Sequence, residues 1–307
     1  MKILVTGAGG FIGRSLRQAF AKHESLTVFT PDRHELDVSD ENAVDRYVAE
    51  KVPDVIVHTA NKGGGRNTID LEDIVQNNLR MFFNIAKQAA KVEKIIHLGS
   101  GAEYGKHKPI VFVREDEAGI ALPKDDYGFY KSVCSRYIEK TDNMLNLRIF
   151  GCYGEFEDYR FKFISNAIVK NLLGVPITIN QNVVFDYLYI DDFIRMIEHF
   201  IFNTHDFPVY NATAGQGIDL VSLAKIVNDI GINRVPVVLR HEGLNNEYTS
   251  DNRRIMNAMK DFLVTPHEKA IGKMYDYFKS NLEHLDTETV REDPFIKHCN
   301  AMWKEKK

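Results

Sequence analysis

Three side chains between residues 100 and 131, Ser100, Tyr127 and Lys131, have the types and spacing to move a proton beside a reacting carbonyl or hydroxyl. Tyr127 and Lys131 are four residues apart and so share one face of a helix. The Asp125-Asp126 pair suits the start of that helix, where acids are favourable. A free tyrosine has a pKa of about 10, and a neighbouring ammonium favours its phenolate. Such a pair can exchange a proton near neutral pH. Taken alone, it also fits an ordinary surface Tyr–Lys contact. Ser100 follows the apolar run Lys94–Leu98, within the small-residue stretch Gly99-Ser100-Gly101-Ala102-Glu103-Tyr104-Gly105. There a substrate could approach the backbone closely, and three roles would converge.

The element that must position these groups is the first turn of the chain, Lys2 to Gly13. Ile3, Leu4 and Val5 suit a strand buried on both faces. Gly7, Gly10 and Gly13 follow, and Phe11, Ile12, Leu16, Ala19 and Phe20 begin a helical pattern. A strand turning into a helix aims backbone N–H groups at one point, which suits a pyrophosphate. In this context the glycines predict dinucleotide binding. A second strand, Leu26–Phe29, ends at Thr30-Pro31-Asp32-Arg33, where the adenosine ribose would sit. An acid there suits NAD and an arginine suits NADP; this stretch offers both, and Arg33 also fits a solvated loop charge. Asp37-Val38 offers a carboxylate and a small apolar wall for an adenine edge.

Further strands are predicted at Val55–Val57, Lys94–Leu98 and Asn146–Phe150. Helices are predicted over Glu41–Glu50, about Leu71–Lys91, Phe161–Leu173, Val221–Ile230 and Ile271–Leu282. Asp191-Asp192 is read as the cap of a helix to Phe202. Residues 106–123 read as a loop, Lys62-Gly63-Gly64-Gly65 as a flexible loop, and the stretch around Trp303 as a peripheral helix. His58 reads as a packing histidine. Asn77 and Asn78, on an apolar helix, need partners. The pattern makes an α/β fold: a dinucleotide domain over 1–155 with 186–205 returning to it, and a lobe from 156–185 and 206–307.

With 307 residues, 44% of them hydrophobic, the chain can bury a large core. A net charge of −4 gives no case for nucleic acid. Three scattered cysteines, Cys134, Cys152 and Cys299, have no metal-ligand or redox spacing and suit a reducing compartment. No run spans a bilayer and no signal peptide precedes the first strand, so a cytoplasmic protein without membrane contact or metal is expected.

Together the Gly7/Gly10/Gly13 turn, Asp37-Val38, Asn78, Ser100 ahead of Tyr104-Gly105, Tyr127-x-x-x-Lys131 and Tyr189-Ile190-Asp191-Asp192 resemble the extended short-chain dehydrogenase/reductase family. Ala60-Asn61-Lys62-Gly63-Gly64 and Arg33-His34-Glu35-Leu36 look most like its GDP-L-fucose synthase branch. The resemblance implies a doubly wound Rossmann domain and a smaller, mostly carboxyl-terminal lobe gripping a nucleotide sugar, often in a homodimer. It implies Ser100, Tyr127 and Lys131 as the catalytic set. It implies Gly7, Gly10, Phe11, Ile12, Gly13, Arg33, Asp37, Val38, Ala60, Asn78, Tyr127 and Lys131 around the cofactor, and Ser100, Glu103, Tyr104 and Lys162 around the substrate. The branch's cysteine and histidine, which move protons beside the ketone, correspond to Ala102 and Lys162. Gly151 and Phe185 also depart from the family's asparagine and diphosphate-binding arginine. The expectation is an NADP(H)-dependent, or else NAD(H)-dependent, reductase of a nucleotide-activated 4-keto-6-deoxy sugar. The alternatives are a 4-epimerase with bound NAD, an epimerase-reductase, and a non-catalytic dinucleotide-binding protein.

Overall fold

The computed structural model describes residues 1–63, 72–297 and 299. Its main sheet joins β1 (Lys2–Thr6), β2 (Thr27–Phe29), β3 (Val55–His58), β4 (Lys94–Ser100), β6 (Met144–Ile149) and β10 (Val209–Ala212), all parallel, in the order β10-β6-β4-β3-β1-β2. Ile3, Leu4 and Val5 are fully buried because both faces of the sheet are covered. Ile3 and Val5 face α1 (Phe11–Phe20) and α6 (Ile190–Phe202), whereas Leu4 faces α2 (Glu41–Lys51), α3 (Ile74–Ala86) and α4 (Asp126–Ile138). The chain runs from β1 through α1 to β2 on one side, then crosses to β3 on the other. That reversal opens a crevice at the carboxyl ends of β1 and β3, the usual ligand site of such sheets. The fold is the expected doubly wound α/β sheet.

The second layer is built around β9 (Val184–Tyr189). Its order is β11 (Gly217–Asp219), β9, β13 (Tyr248–Ser250) and β5 (Ile110–Val113), with β7 (Gly151–Tyr153) also pairing with β9. A separate pair joins β8 (Ile177–Asn182) to β12 (Val237–Leu244). The helices here are α5 (Phe163–Leu172), α7 (Leu220–Ile230), α8 (Arg253–Ala258), α9 (His267–Ser280) and α10 (Thr287–Arg291). Among the described residues no helix is long and apolar enough to cross a membrane.

Several elements differ from the sequence reading. Residues 110–113, read as loop, form β5, whose ladder partner β13 lies far along the chain. Val209–Ala212 joins the parallel sheet although it lies beyond the 186–205 return. The helix expected to reach Lys91 stops at Ala86, and a short 3₁₀ turn covers Ala89–Lys91. Asp191 and Asp192 are not caps: α6 starts at Ile190 with Tyr189 before it. Asp192 instead accepts from the Thr265 N–H and hydroxyl, at 2.8 and 2.7 Å, and so ties α6 to the segment leading into α9. The start of the expected helix at Leu71, Gly64 and Gly65, and the Trp303 stretch lie outside the described residues.

Candidate active site

β4 ends at Ser100, level with Ile149 of β6. The hydroxyl of Ser100 accepts from the Ala102 N–H at 3.1 Å, which starts a 3₁₀ turn over Gly101–Tyr104. α4 is capped by Asp125, whose carboxylate accepts from the Gly128 N–H at 2.9 Å. Gly128 lets the first turn of α4 lie on the Ser100 turn, since a Cβ there would stand 2.7 Å from the Ala102 carbonyl oxygen. Tyr127, beside it, is half-buried, with its ring edge-on to Tyr130 at 5.4 Å. One turn on, Lys131 is buried, its ammonium 5.9 Å from the Tyr127 ring centre and donating to the Leu98 carbonyl of β4. Burial pushes this ammonium down to about 8. The structure therefore brings Ser100, Tyr127 and Lys131 to one sheet edge.

The glycine turn meets the same edge, and its glycines divide by purpose. A Cβ on Gly7 would stand 2.6 Å from the Ala60 Cα, and one on Gly13 would stand 2.3 Å from the Gly7 oxygen. Both are needed for the chain to pack on itself, and Gly7 also has φ +71°. Gly9 and Gly10 are exposed: a Cβ on Gly9 meets nothing within 4 Å, and one on Gly10 only the Gly7 oxygen at 3.5 Å. α1 begins there without a side-chain cap or an acid in its first turn. Phe11 and Ile12, its first residues, are half-buried. An open cradle of N–H groups at an uncompensated positive helix end fits the diphosphate of a dinucleotide.

At the adenosine end, Arg33 is exposed and its guanidinium reaches Asp37 at 3.2 Å. Asp37 also accepts from the Ser39 hydroxyl and N–H at 2.6 and 2.9 Å, and these bonds hold its carboxyl below the usual range. Val38 packs into the core under α2 and α3. Asn78 is engaged with the loop after β3: its amide accepts from the Lys62 N–H at 2.8 Å and donates to the Lys62 and Ile74 carbonyls. Its buried partner is thus the loop that carries Ala60 and Asn61.

On the substrate side, Glu103 and Tyr104 are corrections. The 3₁₀ turn after Ser100 swings both inward, and Glu103 is 1% exposed. Glu103 accepts from Arg148 Nε at 2.6 Å and from the Ser100 N–H at 2.9 Å. The Tyr104 hydroxyl accepts from Arg148 at 3.0 Å and donates to Asn211 at 2.8 Å. Both side chains support the site from below and offer nothing to a ligand. Lys162 is exposed, at the residue preceding α5. Arg148 is the residue the sequence reading missed. A guanidinium between Leu147 and Ile149 of a buried strand signals an internal partner, which here comes from 45 residues away. Tyr248 and Phe150 also reach the Ser100 turn, since a Cβ on Gly101 would stand 2.7 Å from the Tyr248 hydroxyl and 2.8 Å from the Phe150 ring.

Residues 3–212 match the model of the NAD dependent epimerase/dehydratase family. The chain is 24% identical over 257 residues to a GDP-L-colitose synthase of Yersinia pseudotuberculosis, covering 75% of this chain and 82% of that one. Its fold is similar to MlghC, a GDP-mannoheptose C4 reductase from Campylobacter jejuni with NADP bound, with a TM-score of 0.79 and 17% identity over 91% of this chain and 98% of that one. It is equally similar to a UDP-glucose 4-epimerase from Thermotoga maritima with UDP-glucose, with a TM-score of 0.79 and 21% identity over 92% and 100%.

Proposed function

The chain belongs to the NAD dependent epimerase/dehydratase family, and from that we propose that it is an NADP(H)-dependent reductase of a nucleotide-activated 4-keto-6-deoxy sugar. The observation that carries the reading is the convergence of Ser100, Tyr127 and Lys131 at a sheet edge beside an open dinucleotide cradle. When bound there, a reduced nicotinamide supplies a hydride to C4. Tyr127 gives its hydroxyl proton to the C4 oxygen, and the Ser100 hydroxyl holds that oxygen. The Lys131 ammonium stabilises the phenolate left behind. It has three donors, of which Leu98 takes one, leaving two for ribose hydroxyls.

The turn after Ser100 supports reduction without epimerisation. Gly101 and Ala102 carry no ionisable group, and Glu103 is closed onto Arg148. The Tyr104 hydroxyl is likewise held between Arg148 and Asn211, so the turn offers no free acid or base for the carbons flanking C4. The reading is tested by mixing the purified protein with NADPH or NADH and 4-keto-6-deoxy sugars on GDP, dTDP and CDP. Stoichiometric loss of NADPH with one sugar is expected. Deuterium from heavy water at the carbons flanking C4 would mean that epimerisation accompanies reduction.

A second reading, 4-epimerisation with retained NAD, is favoured by the likeness to the Thermotoga 4-epimerase. The same three side chains can oxidise and re-reduce C4. A cofactor that co-purifies, with a sugar epimer and no net NADPH loss, would select it.

A further inference from the structure

The order of the strands decides what a bound dinucleotide passes over. The diphosphate cradle stands at the end of β1 and Ser100 ends β4, with β3 between them. A cofactor whose diphosphate sits on the cradle and whose nicotinamide reaches Ser100 therefore crosses the carboxyl end of β3. Residues 59–63 stand there, and three neighbours hold them. On the β1 side, the Thr59 hydroxyl donates to the Thr6 and Gly7 carbonyls at 2.6 and 3.3 Å. On the α3 side, the Asn78 amide pairs with the Lys62 N–H and carbonyl at 2.8 and 2.9 Å. On the α4 side, the Tyr130 hydroxyl donates to the Asn61 side-chain oxygen, and the Asn61 side-chain nitrogen donates to the Gly63 carbonyl.

The proton transfer proposed above makes no use of Tyr130. This residue is 2% exposed, packed in the apolar cluster that holds Phe82, Cys134 and Ile138. Burial there takes its hydroxyl out of water, so that hydroxyl needs a polar partner. The ring meets Tyr127 edge-on at 5.4 Å, and its centre is 5.3 Å from the Lys131 ammonium. Tyr130 thus borders Tyr127 and Lys131 with its ring and binds the segment after β3 with its hydroxyl.

Resting on the reading that the cradle binds a nicotinamide dinucleotide, we infer that Tyr130 is a positioning residue: its hydroxyl fixes Asn61, so that the segment after β3 holds the nicotinamide half of the cofactor in line with Tyr127. The adenosine half runs the other way from the cradle, toward β2. The two halves should therefore respond differently when the tie is cut. Asn61 is exposed, so without the phenol its amide turns to water, and the segment loses its tie to α4 without unfolding the chain.

The test measures binding, so it needs no turnover and no sugar. NADP⁺ and NAD⁺ are titrated into the purified protein beside two fragments that lack the nicotinamide half, adenosine 2′,5′-bisphosphate and ADP. Tyr130→Phe keeps the ring against Tyr127 and Lys131 and removes only the hydroxyl. It should weaken the dinucleotides by about tenfold, the worth of one hydrogen bond in a preorganised site, and leave the fragments and the urea midpoint close to wild type. Asn61→Ala should give the same split, and it carries the test if the Tyr130 variant fails to fold. The double variant should lose no more than either single one, because both cut the same tie. Tyr127→Phe, which leaves the tie intact, should leave all four affinities unchanged. Dinucleotide affinity that survives both single variants, or an equal loss for dinucleotides and fragments, overturns the inference and leaves the reductase reading standing. A wild-type protein that binds neither dinucleotide overturns both.

Discussion

Two buried cations flank β4, and their surroundings are opposite. Arg148 is 1% exposed and has four hydrogen-bond partners: Glu103 at 2.6 Å, the Tyr104 hydroxyl at 3.0 Å, the Glu115 carbonyl at 3.2 Å and the Ser135 hydroxyl at 2.8 Å. The Glu103 carboxylate raises its affinity for the proton further. Lys131 is 5% exposed and has the Leu98 carbonyl but, among the described residues, no carboxylate in contact, so burial lowers its pKa to about 8. A matched buried pair is fixed in place, whereas a cation short of partners keeps donors for a ligand. The first holds the floor under Ser100. On the proposed reading, the second is the group that Tyr127 and a cofactor use.

The largest effect expected from this contrast is on folding. Arg148→Met leaves Glu103 as an unpaired buried carboxylate and should cost about 3–5 kcal/mol, read from urea unfolding. Adding Glu103→Leu should restore most of that loss, because a buried pair is often no more stabilising than apolar residues. A single variant within about 1 kcal/mol of wild type would show that the pair is solvated after all. Tyr127→Phe is the counterpart on the reactive side. It should leave unfolding and cofactor binding unchanged and reduce turnover by about 10²–10⁴-fold, the usual worth of a general acid. Loss of cofactor binding instead would assign Tyr127 a packing role.

The contrast also explains what was legible in the chain. The glycine turn, the Tyr127–Lys131 spacing and the apolar strands are local patterns, and the structure shows them where periodicity put them. Glu103 and Tyr104 were misplaced because proximity to Ser100 in sequence does not fix direction, and a 3₁₀ turn reverses it. Their partners Arg148 and Asn211 lie 45 and 107 residues away. β5 was hidden for a related reason: Ile110-Val111-Phe112-Val113 is a short apolar run between charged stretches, and its ladder partner β13 is remote, so nothing local distinguishes the strand from a loop. Asp192 looked like a cap because acids usually are, yet its oxygens serve Thr265.

Lys131 should show its isolation through pH. Its folded pKa of about 8 lies below the ordinary 10.5. Between these values the unfolded chain binds the extra proton, so stability should rise as pH increases across that window. Below pH 8 the burial cost is present in full. Lys131→Met should remove this rise, stay folded and lose turnover. A wild-type profile that is flat or falling from pH 8 to 10.5, relative to the variant, would show that the amine has a compensating charge.

The smallest effect concerns a third cation, Arg33, which is neither buried nor short of solvent. Its side chain is 83% exposed and its pairing with Asp37 at 3.2 Å is a surface contact of little worth to the fold. Arg33→Ala should therefore leave the unfolding midpoint unchanged. If the guanidinium leaves Asp37 for a 2′-phosphate, the variant should weaken NADPH by about tenfold, the value of one charge-assisted hydrogen bond, and NADH hardly at all. Paired titrations of both cofactors decide the matter. Equal losses would place Arg33 outside phosphate contact and return the cofactor preference to Asp32 and Asp37, the acids that suit a free ribose hydroxyl.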